Sequence, residues 1–218
     1  MPSQADTCKP EPASPAERRH QRVRNSIIAA AEKMFAREGE LAVSMRRLAE
    51  ETDYSPAALY KYFGSKAEVF NAVRESFFER LITRIDHATE NQHDACAMCR
   101  STARAYIETA LENPGTYLMS YSSWMDHRFA DENSFGNLAA AKLESLIAHG
   151  IESGTFRQQD AALASKSVWA AVHGLTSLLL QVAELKTGID GTQEYSNEDI
   201  IEFHINFMIN GLRSDNMA

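Results

Sequence analysis

Basic residues stand at the starts of two helices that the sequence predicts. Ser44 is a suitable N-cap, yet Arg46 and Arg47 occupy the first turn after it, and Lys66 follows the suitable N-cap Ser65 in the same way. A helix N-terminus already carries partial positive charge, so each cation there costs about 0.3–1 kcal/mol unless an anion lies nearby. This pattern predicts that the segment binds phosphate groups.

Aromatic and basic side chains are concentrated between these two helix starts, in the run Tyr60-Lys61-Tyr62. Lysine and tyrosine suit nucleic-acid phosphates, which position a protein without specifying sequence, whereas Arg46 suits either a phosphate or the edge of a guanine. Ordinary packing in a three-helix unit is the alternative interpretation for each tyrosine. The residues themselves leave both interpretations open.

Two short helices and a tight turn must position these side chains. A helix that begins at Ser44 ends near Asp53, and Ser55 followed by Pro56 has the pattern of an N-cap with proline at the first helical position. The second helix, residues 57–63, is only about two turns long, so it depends on packing against its neighbours. The sequence therefore predicts a helix-turn-helix.

The run LAEETDYSPAALYKYFGSKAEVF resembles the helix-turn-helix of the tetracycline-repressor (TetR) family, and with the preceding helix the resemblance covers residues 18–70. The matching positions are Ser55-Pro56, Leu59-Tyr60, Tyr62-Phe63 and Lys66. Asp53 departs from the family pattern, which has glycine in this turn, although aspartate tolerates the left-handed conformation better than most residues.

The resemblance implies that the segment Ser55–Tyr62 is a recognition helix in the major groove of double-stranded DNA. The residues that it places near DNA are Ser44, Met45, Arg46, Ser55, Pro56, Ala57, Ala58, Tyr60, Lys61, Tyr62 and Lys66.

Charge divides the chain in the way that a DNA-binding protein requires. The net charge is −8, but residues 17–66 contain ten Lys and Arg against seven Asp and Glu, whereas residues 71–218 contain eleven against twenty. An acidic body repels DNA and favours contact through the basic end. The expected divisions are a disordered tail at 1–16, a DNA-binding domain at 17–65, an effector-binding and dimerisation domain at 66–213, and a flexible C-terminus at 214–218.

Apolar residues recur at spacings of three and four along the chain, and no strand-like alternation is present. The pattern predicts an all-α fold with about nine helices. The expected spans are 18–39, 44–53, 57–63, 66–87, 95–112, 116–125, 132–153, 160–185 and 196–212. The helix that begins at Lys66 continues into the body, so it is the expected route by which a bound effector moves the DNA-binding domain.

The last two predicted helices are apolar on more than one face, as is typical of helices that pack both on their own chain and on a partner. The family resemblance implies a homodimer in which this pair forms a four-helix bundle. The expected interface residues are Val168, Val172, Leu175, Leu179, Phe203 and Phe207.

Aromatic and polar side chains of the body suit a pocket for an apolar or aromatic effector. The candidates are Tyr106, Tyr117, Tyr121, Trp124, Phe135, Trp169 and His173. Packing in the core or at the dimer interface is the alternative for each of them. The segments around His173 and Asn113 also resemble a TetR subgroup with a Trp, His, Gly-marked C-terminal domain.

His93, Cys96 and Cys99 form the constellation that would suit metal or redox chemistry, although a structural zinc site usually needs four ligands. Phosphate loops, dinucleotide fingerprints and nucleophile elbows are absent, so we expect neither a cofactor nor catalysis. No signal peptide or membrane span is predicted, and three cysteines fit a reducing compartment, so a cytoplasmic protein with no membrane partner is expected.

These patterns, together with what the family resemblance implies, predict a dimeric transcriptional repressor that binds a pseudo-palindromic operator and is released by a small apolar or aromatic effector. The alternative is a redox- or metal-responsive regulator that uses Cys96 and Cys99.

Overall fold

The computed structural model describes residues 14–121, 133–187, 191 and 193–214. Within these ranges the α-helices are α1 (Pro15–Glu38), α2 (Met45–Glu51), α3 (Pro56–Leu59), α4 (Lys66–Thr89), α5 (Ala95–Glu112), α6 (Pro114–Ser120), α7 (Phe135–Glu152), α8 (Ala161–Gln181) and α9 (Asn197–Leu212). Short 3₁₀ segments follow α1 and α8, at Glu40–Ala42 and Ala183–Lys186. Extended pairing in the described residues is limited to two isolated bridges. The prediction of an all-α fold is confirmed.

The chain divides into two compact units, Met1–Val69 and Phe70–Ala218. The first turn of α4 belongs to the first unit and the rest of α4 to the second. None of the helices in the described ranges is long and apolar enough to cross a membrane.

Helix α1 begins earlier than the sequence predicts, because Ser14 caps it. The Ser14 hydroxyl accepts a hydrogen bond from the Glu17 amide at 3.2 Å, and the Glu17 carboxylate accepts one from the Ser14 amide at 2.6 Å. This reciprocal capping box satisfies N–H groups that a helix start otherwise leaves unpaired. Pro15 and Ala16 therefore lie in the helix, not in the predicted tail.

Two helices of the body are shorter than predicted. Helix α7 begins at Phe135 because the hydroxyl of Ser134 accepts a hydrogen bond from the amide of Asn137 at 3.3 Å. Helix α8 ends at Gln181 because Val182 adopts an extended conformation with φ −122° and ψ 99°. Helix α6 starts two residues before its predicted span, and the end of that span lies outside the described residues.

The first unit has a small core to which α1, α2, α3 and the start of α4 all contribute. Its fully buried side chains are Ile27, Ala31, Met34, Val43, Leu48, Ala49, Leu59, Phe63 and Val69. Helix α3 is far too short to be stable alone, so the burial of Leu59 and Phe63 holds this segment in place.

Helix α5 is the centre of the second unit, since α7, α8 and α9 all pack against it. Arg104 joins α5 to α9 through ion pairs with Glu198, at 2.8 Å, and with Glu202. Arg100 adds a second ion pair to Glu202 at 2.9 Å. On α7, Gly150 allows Phe156 to lie against the helix backbone, because a Cβ at residue 150 would stand 2.2 Å from a ring carbon.

Candidate functional site

Two capped helices and a left-handed turn build the helix-turn-helix. The hydroxyl of Ser44 accepts a hydrogen bond from the amide of Arg47 at 3.2 Å, and that of Ser55 accepts one from the amide of Ala58 at 3.2 Å. Between the helices Asp53 has φ 57°, a conformation that favours glycine. The predicted caps are therefore present, and aspartate adopts the left-handed turn where the family pattern has glycine.

The predicted recognition helix is α-helical only over Pro56–Leu59. The amides of Lys61 and Tyr62 bond three residues back, to the Ala58 carbonyl at 3.1 Å and to the Leu59 carbonyl at 2.9 Å. Such tightening satisfies the orphan carbonyls at a helix end. The segment Ser55–Tyr62 is thus one helical turn followed by 3₁₀-type turns.

The residues predicted to contact DNA differ in their exposure. The exposed ones are Arg46, Ser55, Pro56, Ala57, Tyr60 and Lys61, and the half-buried ones are Ser44, Ala58, Tyr62 and Lys66. Met45 is an exception, because its side chain is 8% exposed and belongs to the core with Leu48. The side chain of the first residue of α2 therefore faces inward, and a contact between Met45 and DNA stays a prediction.

The arginine pair at the start of α2 has two different environments. Arg46 points to solvent and makes an exposed ion pair with Glu50 at 3.0 Å, an interaction of small energy that leaves the guanidinium accessible. Arg47 donates to Glu38 at 2.7 Å and to the Ala42 carbonyl at 3.2 Å. The Arg47 and Arg37 guanidiniums lower the pKa of Glu38 to about 2. Arg47 is therefore paired within the protein, and Arg46 fits the predicted phosphate contact better.

Helix α1 braces the recognition segment through Arg24, a role that the sequence interpretation missed. The Arg24 guanidinium donates to the Tyr62 carbonyl at 2.5 Å and lies 4.1 Å from the centre of the Phe63 ring. The His20 ring lies 4.8 Å from the Tyr62 ring. A signal was available, because Arg24 lies three residues before the fully buried Ile27, on the same face of α1.

Four of the residues predicted to line an effector pocket form one hydrogen-bonded cluster. The Tyr106 and Tyr117 hydroxyls lie 3.1 and 2.7 Å from Nδ1 of His173, and the Tyr121 hydroxyl lies 2.9 Å from that of Tyr106. Burial lowers the pKa of His173 and raises the pKa of Tyr117 to about 12. The half-exposed Trp169 ring stands 6.0 Å from that of His173. This Tyr–His cluster is neutral and largely satisfied by its own hydrogen bonds.

The other two predicted pocket residues are Phe135 and Trp124. Phe135 lines a separate groove between α4, α5 and α7. Trp124 lies outside the described residues.

The predicted dimer interface is only partly exposed. Val168, Val172 and Leu175 are at most 7% exposed and belong to the core of their own chain, while Leu179 packs against the same core. They share the face of α8 that packs on this core, and among these four residues Leu179 is the one that is partly exposed. Phe203 and Phe207 on α9, by contrast, are 75% and 72% exposed.

Cys96 and Cys99, the two cysteines of the described residues, lie in environments that disfavour the thiolate. Cys99 is buried, which raises the pKa of its thiol to about 12, and partial burial also raises that of Cys96. Thiol reactivity and metal binding require the thiolate, which this environment disfavours. No group of three metal-ligating side chains occurs within the described part of the chain.

Two family models match separate parts of the chain. The family model for "Bacterial regulatory proteins, tetR family" matches residues 27–73, and that for "Tetracyclin repressor-like, C-terminal domain" matches residues 96–192. The TetR-family regulator PfmR of Thermus thermophilus has a similar structure, with a TM-score of 0.65 and 22% identity over 86% of this chain and 99% of its own.

Curated relatives show similarity of two extents. The chain is 32% identical to the nucleoid occlusion factor SlmA of Vibrio cholerae over 89 residues, which are 41% of this chain and 45% of that protein. The match thus spans less than half of that relative. It is 26% identical to the uncharacterized HTH-type transcriptional regulator YobS of Bacillus subtilis over 87% of this chain and 92% of that protein.

Proposed function

The chain belongs to the TetR family of transcriptional regulators, and from this premise we propose that it is a dimeric repressor that a small effector releases from a pseudo-palindromic operator. The observation that carries the proposal is the exposed set Arg46, Tyr60 and Lys61 on the helix-turn-helix. Arg24 of α1 stabilises this segment by its hydrogen bond to the Tyr62 carbonyl.

The proposed DNA contacts divide into positioning and specifying groups. Lys61, Lys66 and the Tyr60 and Tyr62 hydroxyls suit phosphates, and Arg46 suits a phosphate or a guanine edge. The small residues Ala57 and Ala58 allow the helix to approach the base edges closely. The two helix-turn-helix units of a dimer would contact half-sites about 34–36 Å apart or a multiple of that distance.

The proposed dimer surface is the outer face of α9 with the exposed part of α8. Phe203 and Phe207 lie four residues apart on one face of α9, and Leu163 and Leu178 of α8 are 64% and 45% exposed. Large exposed apolar side chains on neighbouring helices are typical of protein–protein interfaces. The buried Val168, Val172 and Leu175 support this surface from below.

The proposed effector response requires a ligand that binds better to the form of the protein that does not bind DNA, since otherwise no release follows. The second unit is the proposed ligand-binding part, and the predicted site there includes Tyr106, Tyr117, Tyr121, Trp169 and His173. Helix α4 contributes to both units, so it is the proposed path of the response.

DNA binding is tested by selecting duplexes from a random pool with the full chain and then measuring affinity against salt. We expect affinity to fall steeply with salt, and Lys61→Ala to reduce the slope of log K against log salt by about one unit, because one phosphate contact is lost. Lys186→Ala, a change at an exposed lysine outside α8 and α9, is the matched control and should leave the slope unchanged. Binding that does not depend on salt, or no binding to any duplex, contradicts the proposal.

Dimerisation is tested by sedimentation of a Phe203→Asp, Phe207→Asp variant, which we expect to be monomeric. Leu41→Asp is the control, because Leu41 is 91% exposed and belongs to the first unit, which contributes no residue to the proposed interface. A double variant that remains dimeric excludes this surface.

A further inference from the structure

A groove of about 500 Å³ lies between α4, α5 and α7, within the second unit. Its walls are mainly apolar, with Ile82 and Ile85 from α4, Met98 from α5, and Phe135 and Leu138 from α7. Small-molecule sites in proteins typically have volumes of about 300–1,000 Å³ and mainly apolar linings with a few polar groups. The groove therefore has the size and lining of a ligand site.

Thr102 on α5 gives this groove a polar group without a partner. The residue is 9% exposed, and its hydroxyl has no hydrogen-bond partner among the described residues. Other buried helical hydroxyls bond the carbonyl one turn earlier: Thr109, Ser120 and Thr176 do so at 2.6, 2.7 and 2.7 Å. Because an unpaired buried hydroxyl is unfavourable, the Thr102 hydroxyl is a candidate for pairing with a bound molecule.

The charged residues of the lining define the charge of a suitable ligand. Asp86 of α4 and Lys142 of α7 form an ion pair at 2.5 Å, with each side chain about half exposed. Their charges cancel, so neither favours a ligand ion strongly. The exposed His149 is the remaining titratable residue of the lining in the described chain.

We propose that this groove binds an uncharged, largely apolar molecule that carries a hydroxyl or carbonyl group, an alcohol or a ketone, with that group hydrogen-bonded to Thr102. A threonine hydroxyl can donate to a carbonyl and can accept from an alcohol, so both kinds of ligand satisfy it. The inference rests on the proposed function only for its regulatory consequence. Binding itself follows from the groove, and the site differs from the Tyr–His cluster, whose polar groups already pair with one another.

The test uses the full chain with N-phenyl-1-naphthylamine as a neutral fluorescent probe, which 1-octanol or octane then displaces. Thr102→Val keeps the side-chain shape and removes the hydroxyl. It should therefore lower the affinity for 1-octanol about fivefold, the fold-change that corresponds to a net hydrogen bond of about 1 kcal/mol, and leave the affinity for octane unchanged. Thr109→Val is the matched control on the same helix and should change neither. Equal effects of Thr102→Val on both competitors overturn the hydrogen bond.

A second variant tests the location. Ala139→Phe places a large side chain in the groove and should abolish probe binding while circular dichroism stays that of the parent protein. Probe binding that persists in this folded variant, or no binding by the parent protein, overturns the inference.

A DNA-release assay with 1-octanol separates the inference from the proposed function. Groove-dependent binding without any effect on DNA supports the inference and removes the effector part of the proposed function for this ligand class. If the protein binds DNA but takes up no probe, the inference fails and DNA binding in the proposed function stands.

Discussion

Replacing Arg24 by alanine should loosen the recognition segment, although Arg24 lies on a different helix. The variant loses the hydrogen bond to the Tyr62 carbonyl at 2.5 Å and the contact with the Phe63 ring at 4.1 Å. A charged hydrogen bond contributes about 1.5–3 kcal/mol and a cation over an aromatic ring about 0.5–2 kcal/mol. Because Arg24 is half-buried, we take about 2 kcal/mol for the two interactions together. This is about a 30-fold change in the equilibrium between the folded and the locally unfolded recognition segment.

Hydrogen–deuterium exchange measures this opening in the full chain. The amides of Lys61, Tyr62 and Phe63 bond within the segment and should exchange about 30-fold faster in Arg24→Ala. Arg22→Ala removes an exposed arginine from the same helix and should leave these amides unchanged. Equal exchange in the two variants would refute the bracing role of Arg24.

Salt dependence distinguishes a brace from a phosphate contact. If Arg24 acts only by holding the segment, Arg24→Ala weakens DNA binding at every salt concentration and keeps the slope of log K against log salt. A slope that falls by about one unit would instead identify Arg24 as a residue that contacts phosphate.

Three further outcomes follow from the second unit. Gly150→Ala should lower the free energy of unfolding by about 2 kcal/mol or more in urea denaturation, because the new methyl group overlaps the ring of Phe156; a neutral effect would contradict the close approach. Cys99 should resist maleimide labelling at pH 8 in the native protein, since its thiol pKa is about 12, and Cys96 should label faster because it is less buried; equal rates would contradict the burial difference. Burial keeps His173 neutral in the folded protein, so its contribution to stability is complete above the ordinary pKa of 6.5 and is lost as pH falls below it. His173→Gln should therefore flatten the dependence of the urea midpoint between pH 7.5 and 5.5, and an unchanged dependence would exclude this residue as its source.

The sequence predicted the helices best where a capping residue marked their limits. Asp94, Asp160 and Ser196 each cap a helix at its predicted start, since one side chain and the next three residues decide the geometry. The end of α8 was predicted too late because Val182 continues the apolar pattern while its backbone leaves the helix. Apolar periodicity reports burial, and burial persists beyond the last helical residue.

The side-chain partners of the candidate site depend on tertiary packing and were predicted less well. Arg46 and Arg47 are adjacent and chemically identical, yet only Arg47 lies near Glu38 of another helix. Likewise, Val172 and Phe203 were both expected at the interface, but their burial differs. Val172 lies on the face of α8 that packs on its own chain, whereas Phe203 lies on the exposed face of α9. Spacing defines which residues share a face, whereas the neighbours in space decide which face is covered.

The ion pairs between α5 and α9 have a consequence for how binding curves are measured. Arg100 and Arg104 hold the helix that carries Phe203 and Phe207, and their partners Glu198 and Glu202 are partly open to solvent, so added electrolyte screens them. If the proposed dimer forms through α9, electrolyte acts on its oligomerisation equilibrium as well as on the proposed protein–phosphate contacts. At protein concentrations near the dimer dissociation constant, both equilibria contribute to the apparent slope of log K against log salt. Titrations carried out well above that concentration isolate the number of phosphates neutralised.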